Sequence, residues 1–169
     1  QGDKMSTPQE QYQELYEKMA QLCESEGWGD PFSYARSKEI HAAIVLGHKI
    51  ADTFSGADAF NKENQPVEYK STTDKNCKGA YTGISVQPTW EKQEKYLREE
   101  KIAKYPEHFY NRFSQGKLVE SWQLDGSKVL EILLPKLKKN YATVLSKKDP
   151  RLSANVSWSE IKQYGKKVV

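Results

Sequence analysis

Cysteine is nearly missing from this sequence of 169 residues: Cys23 and Cys77 stand far apart, in no CxxC or Cys/His spacing. That excludes a zinc site of the usual ligand spacing and a disulfide scaffold, and two free thiols fit a reducing cytoplasm. Long hydrophobic runs are missing as well. No apolar stretch nears the roughly 20 residues a bilayer-spanning helix needs, and no secretory-signal pattern opens the sequence, so a cytoplasmic protein without membrane contact is expected. The ten glycines build no phosphate-cradling loop, and no serine or cysteine sits in a nucleophile motif. Internal repeats, low-complexity tracts and linkers are lacking too, so residues 1–169 read as a single domain large enough for its own core.

What is present is charge and aromatic mass. Charged residues make up 29% of the sequence, and ten Tyr and four Trp argue against disorder. The net charge of +3 is unevenly placed: residues 135–169 carry nine Lys/Arg against Asp149 and Glu160, which leaves +7 there and −4 on the first 134 residues. Such a basic stretch suits a phosphate backbone, with a plain solvated surface as the alternative.

Periodicity predicts a helix over 8–26, capped by Thr7 and Pro8, with Tyr12, Leu15, Tyr16, Met19, Leu22 and Cys23 on one packing stripe. A second helix is expected over 34–47, burying Ile40, Ala43, Ile44 and Gly47. Strands are expected over 50–58, 65–73 and 79–87, then a charged helix over 90–104, strands over 109–113 and 118–124, and a helix over 127–139. A hairpin or irregular segment follows at 142–145 and 152–158. This order predicts an α/β fold with a mixed central sheet flanked by helices.

Residues 55–71 are the chemically dense stretch. They read as a hairpin in which Asp58 ends one strand and Val67-Glu-Tyr-Lys70 form the next. Side chains alternate along a strand, so Glu68 and Lys70 share one face while Val67, Tyr69 and Ser71 share the other. Two acids and a lysine at a strand end are costly unless they bind a cation and handle charged oxygens. Glu-x-Lys occurs three times, at Glu68, Glu99 and Glu160, and only the first lies in a predicted strand with a second acid across a turn. Helix-borne Glu39 could be aimed back at the strand ends. His41 and His48, seven apart, make a poor metal pair.

Gly56-Ala-Asp58 followed by Val67-Glu-Tyr-Lys70 resembles the PD-(D/E)xK nuclease signature of type II restriction endonucleases, with Ala57 where proline often stands. Asp52 is a second aspartate on the same predicted strand, but Asp58 is nearer the turn. The resemblance spans about 34–124 and implies a restriction-endonuclease-like core, with the basic part at 135–169. It implies that Asp58, Glu68 and the Tyr69 carbonyl hold Mg²⁺, which acidifies the attacking water, and that Lys70 stabilises the developing charge. Glu39 would be an accessory acid.

The implied partner is double-stranded DNA, cut by a homodimer. Lys136, Lys138, Lys139, Lys147, Lys148 and Arg151 could meet its backbone, and Asn111, Arg112, Gln115 or Asn155 are of types that read base edges. A junction resolvase or repair nuclease of the same core, a non-catalytic DNA-binding module and an interaction protein remain alternatives.

Overall fold

The computed structural model describes residues 6–52 and 55–169. Within them the chain forms five α-helices and a six-stranded mixed sheet, mostly antiparallel, with a separate two-stranded sheet beside it. Helix α1 (Pro8–Glu26) begins where predicted. The Thr7 hydroxyl accepts from the Glu10 amide at 3.1 Å, and Gly27 closes the helix at φ 73°, a left-handed value that glycine adopts without a Cβ penalty. Helix α2 (Arg36–Leu46) buries Ile40, Ala42 and Ala43.

The strands differ from expectation in two places, the first in the segment that carries Asp58. Residues 50–58 are no continuous strand: β1 is Lys49–Ile50, β2 is Ala59–Phe60, and a loop lies between them. Ser55 and Gly56 fold that loop, the Ser55 hydroxyl and amide both donating to the Asp52 carbonyl while Gly56 takes φ 74°. Thr53 and Phe54, part of the predicted strand, lie outside the described residues. Asp58 therefore precedes a strand instead of ending one.

Strand β3 (Pro66–Thr72) pairs with β2 in antiparallel fashion and, on its other edge, with β5 (Glu107–Ser114) in parallel. With both edges occupied, β3 has no place for β4 (Gly79–Ser85), the strand expected over 79–87 of the central sheet. Instead β4 pairs with β7 (Arg151–Val156). The parallel pairing of β3 with β5 needs a long crossover, which carries β4, α3 (Trp90–Tyr96) and a π-helical turn (Leu97–Lys101). Strand β6 (Lys117–Asp125) completes a hairpin with β5. Helix α4 (Gly126–Val144) runs past the predicted end, so 142–144 are helical and form no hairpin. A capping box at Ser157 starts α5 (Trp158–Tyr164), and β8 (Lys166–Lys167) pairs with β6.

Two cores follow from the alternation of side chains. On one face of the large sheet, Val67, Tyr69, Phe109 and Phe113 pack on Ala42 and Ala43 of α2. On the other, Tyr110 and Leu124 meet Tyr81 of β4, the leucines of α4 (Leu130, Leu133, Leu137) and Leu152 of β7. Three predicted core contributions are overturned. Ile44 is 62% exposed because α2 turns that side to solvent, Gly47 is the exposed residue that caps the end of α2, and the apolar stripe of α1 is exposed apart from Cys23.

Candidate active site

Strand β3 presents Glu68 and Lys70 on the face opposite buried Val67 and Tyr69, as alternation requires. The two charges meet with the Lys70 ammonium 3.5 Å from Glu68 Oε1. Asp58 reaches the same strand from its neighbour. Its amide donates to the Val67 carbonyl at 3.4 Å, and its Oδ2 accepts from the Tyr69 amide at 2.8 Å. The two-residue β2 ends its ladder at Val67, so the Asp58 carboxylate takes the amide that a longer strand would have used. The N–H and C=O of one strand residue project to the same edge, so the Tyr69 carbonyl faces the Asp58 side too. The Tyr69 ring lies on the opposite face, its hydroxyl 2.6 Å from His48 Nδ1, which makes His48 a structural partner. His41 is structural as well, its Nε2 accepting from the Leu118 amide at 3.2 Å.

The acids stand in an unfavourable field. Burial pushes the Asp58 carboxyl up to about 8, and the neighbouring charges of Glu68 and Glu39 add to it against the Tyr69 amide and Lys70. Glu68 is also raised by burial, with Lys70 as the main opposing influence. Among the described residues no three His, Cys, Asp or Glu side chains are gathered closely enough to hold a metal by themselves. The immediate acid set is the pair Asp58 and Glu68, with Glu39 contributing through its charge.

Glu39 is held by Arg36, a residue that no motif marked. The Arg36 guanidinium donates to Glu39 Oε1 at 3.2 Å, to the Asp58 carbonyl at 3.3 Å, to the Trp28 carbonyl at 2.7 Å and to the Ala51 carbonyl. One planar fork thus ties α2 to both ends of the loop that delivers Asp58. A cleft of about 470 Å³ opens here, lined by Trp28, Tyr34, Arg36, Glu39, Asp52 and Asp58. The clue in the sequence was electrostatic: Glu39, Asp52 and Asp58 fall close together, and Arg36 is the nearest arginine.

A neutral network lies beneath Lys70. Its ammonium sits 4.5 Å from the centroid of the Tyr81 ring. The Tyr81 hydroxyl is 2.8 Å from both His108 Nδ1 and the Tyr110 hydroxyl, and His108 Nε2 is 2.8 Å from the Ile102 carbonyl. A carbonyl can only accept, so Nε2 carries the proton. Nδ1 then accepts from Tyr81, whose oxygen accepts from Tyr110. Burial pushes His108 down to about 4, keeping the ring neutral.

The basic candidates are dispersed in role. Lys136 is committed to Glu160 at 2.5 Å and to the Asn155 carbonyl at 2.7 Å, and Arg151 pairs with Asp149 at 3.4 Å. Lys138, Lys139, Lys147 and Lys148 are exposed. Asn111 is fully buried and accepts from Ser121 at 2.6 Å, and Arg112 pairs with Glu120, so neither stands ready at a base edge. Comparison with models of known protein families and with curated proteins finds no match.

Proposed function

We propose that the protein is a Mg²⁺-dependent DNA endonuclease of the PD-(D/E)xK type, hydrolysing phosphodiester bonds in double-stranded DNA as a restriction enzyme does. The observation that carries this reading is the fixing of Asp58 Oδ2 by the Tyr69 amide at 2.8 Å, beside the Glu68–Lys70 pair of the same strand. The succession α2, β1, β2, β3, a crossover helix and β5 supports a restriction-endonuclease-like core, with Glu39 on the helix that precedes the acids.

The donor set fits the ion. Two half-buried carboxylates and a strand-edge carbonyl are hard oxygens with the single ammonium of Lys70 beside them, and Mg²⁺ takes one or two carboxylates and completes its shell with water and substrate phosphate. Asp58, Glu68 and the Tyr69 carbonyl would hold it. Held there, Mg²⁺ would supply an acidified water and would neutralise charge on the phosphate oxygens.

The remaining work belongs to the chain. Asp58 and Glu68 act in their ionised forms, which their raised pKa values make costly until a cation arrives. Lys70 places a positive charge 3.5 Å from Glu68, where it stabilises negative charge developing on the phosphate. Arg36 holds Glu39 and the Asp58 loop in register. Exposed Lys138, Lys139, Lys147 and Lys148 are the bases available to DNA backbone. One site cuts one strand, so cutting a duplex calls for a homodimer with two-fold symmetry.

Incubating supercoiled plasmid with the protein and Mg²⁺ tests this. Linear product in discrete fragments, stopped by EDTA, supports a restriction enzyme. Cutting confined to branched DNA moves the assignment to a resolvase. Salt-sensitive binding with no cutting in Mg²⁺ or Mn²⁺ refutes catalysis.

A further inference from the structure

Helix α1 bears an apolar face that the described residues leave largely exposed. Tyr12, Leu15, Met19 and Leu22 recur at spacings of three, four and three, the a/d pattern of a coiled-coil seam. Tyr16 lies beside the seam and stacks on Phe32, with centroids 3.9 Å apart and planes 3° from parallel. These six side chains are 41–70% exposed. Glu10, Glu17 and Glu24 repeat every seven residues on the side of the helix farthest from the seam. The acids thus keep the same heptad as the apolar residues. Lys18, next to the seam, is already paired with Glu14 at 2.8 Å, so that flank brings no unpaired cation.

The size of the face bears on its occupant. At these fractional exposures and about 200 Å² for a large side chain, the six expose on the order of 600 Å², at the top of the roughly 300–600 Å² of the largest apolar patch on a typical monomer. It is close to the roughly 800 Å² per partner that a standard stable interface buries. Only Cys23 of α1 is buried, and the helix makes sparse contact with the other elements. A helix so placed gains little from its own chain, and most helical stability comes from packing an amphipathic face.

We propose that a second copy of this chain covers the face, with α1 packed antiparallel against α1 of its partner about a two-fold axis near position 17. A two-fold contact requires a self-complementary surface, and this seam is one. In the antiparallel register Tyr12 faces position 22 of the partner and Leu15 faces position 19, so each layer joins two different side chains and the helix dipoles oppose. A parallel register would set Tyr12 against its own copy and align the dipoles. The inference locates the interface of the homodimer named above but does not depend on nuclease activity, since the dimer forms whether or not the protein cuts DNA.

Sedimentation of the full chain at micromolar concentration, without DNA, tests it. The wild type sediments as a dimer. Leu15→Glu and Met19→Lys, both at exposed positions, each weaken the dimer by roughly a hundredfold or more while leaving the circular dichroism of the folded body intact. An equimolar mixture of the two variants restores a dimer, because position 15 of one copy faces position 19 of the other. Ile44→Glu, on the exposed side of α2, leaves the wild-type dimer unchanged. A monomeric wild type overturns the proposal, including one that instead captures a basic amphipathic peptide. So does a dimer that survives both seam variants or is lost on Ile44→Glu alone. A mixture that stays monomeric overturns the antiparallel pairing.

Discussion

The Lys70 ammonium rests 4.5 Å from the centroid of the Tyr81 ring, although β3 and β4 belong to different sheets. The second sheet thus supplies the floor on which the lysine sits, and the Tyr81 ring is fixed by hydroxyl bonds to His108 and Tyr110. Tyr81→Phe keeps the ring and strands the buried His108 Nδ1, so it should cost about 1–3 kcal/mol of stability and leave most cleavage. Tyr81→Leu removes the ring as well and should lower cleavage further at equal folded fraction. Urea unfolding paired with plasmid digestion separates the two; equal cleavage by both variants would show that the ring does not position Lys70.

The acid pair makes a pH prediction. Asp58 is raised to about 8, so between the usual aspartate value of about 3.9 and that pH the folded chain holds a proton the unfolded chain has lost. Its contribution is fully present below the lower value and is lost as pH rises through about 8. His108, pushed down to about 4, works the other way below its ordinary range, since the unfolded ring takes a proton there and the folded one does not. The two oppose each other in acid, and above about 6.5, the ordinary histidine value, the acids act alone. In EDTA the melting temperature should therefore fall from pH 6.5 to 8. Asp58→Asn should flatten that fall and melt higher than wild type at pH 8, and Mg²⁺ should restore the wild type. A flat wild-type profile in this window would contradict the burial of these charges.

Arg36 should matter more than its lack of a motif suggests. Lysine cannot reproduce a fork that serves Glu39, Trp28, Ala51 and Asp58 together. Arg36→Lys should destabilise by about 2–4 kcal/mol and Arg36→Ala by at least as much, since several half-buried acceptors lose their donor. Denaturant midpoints within experimental error of wild type would remove Arg36 from the site's support.

Gly79 allows β4 to approach the network. A Cβ there would lie 2.7 Å from Cε1 of Tyr110 and 3.0 Å from the Val156 carbonyl oxygen. Gly79→Ala should cost about 1–3 kcal/mol by overpacking, read as a lowered melting temperature. An unchanged melting temperature would mean that the Tyr110 ring can yield.

The helices were legible because their signals are local. Thr7, Pro8 and the 3.6-residue stripe specify α1, and Ser127 onward carries enough leucine to specify α4. Alternation over 66–72 also placed Glu68 and Lys70 on one face. What periodicity could not show was pairing. Nothing near Gly79 says that β3 already has two neighbours, and the partner that β4 takes lies some seventy residues on. The stripe of α1 read as core because periodicity reports an apolar face without saying what covers it. Arg36 and the Tyr81–His108–Tyr110 network escaped for the same reason: their partners are remote in sequence, or are backbone carbonyls with no residue type to recognise.

The central claim is that Asp58, Glu68 and Lys70 form one metal-dependent site for phosphodiester cleavage. Its most direct test is single-turnover cleavage of duplex DNA in Mg²⁺ by wild type, Asp58→Asn, Glu68→Gln and Lys70→Met, with DNA binding measured in parallel. Wild type should cut, and each variant should lose roughly 10²–10³-fold or more in rate while binding DNA at near wild-type affinity. A triple variant that cuts as fast as wild type would contradict the account.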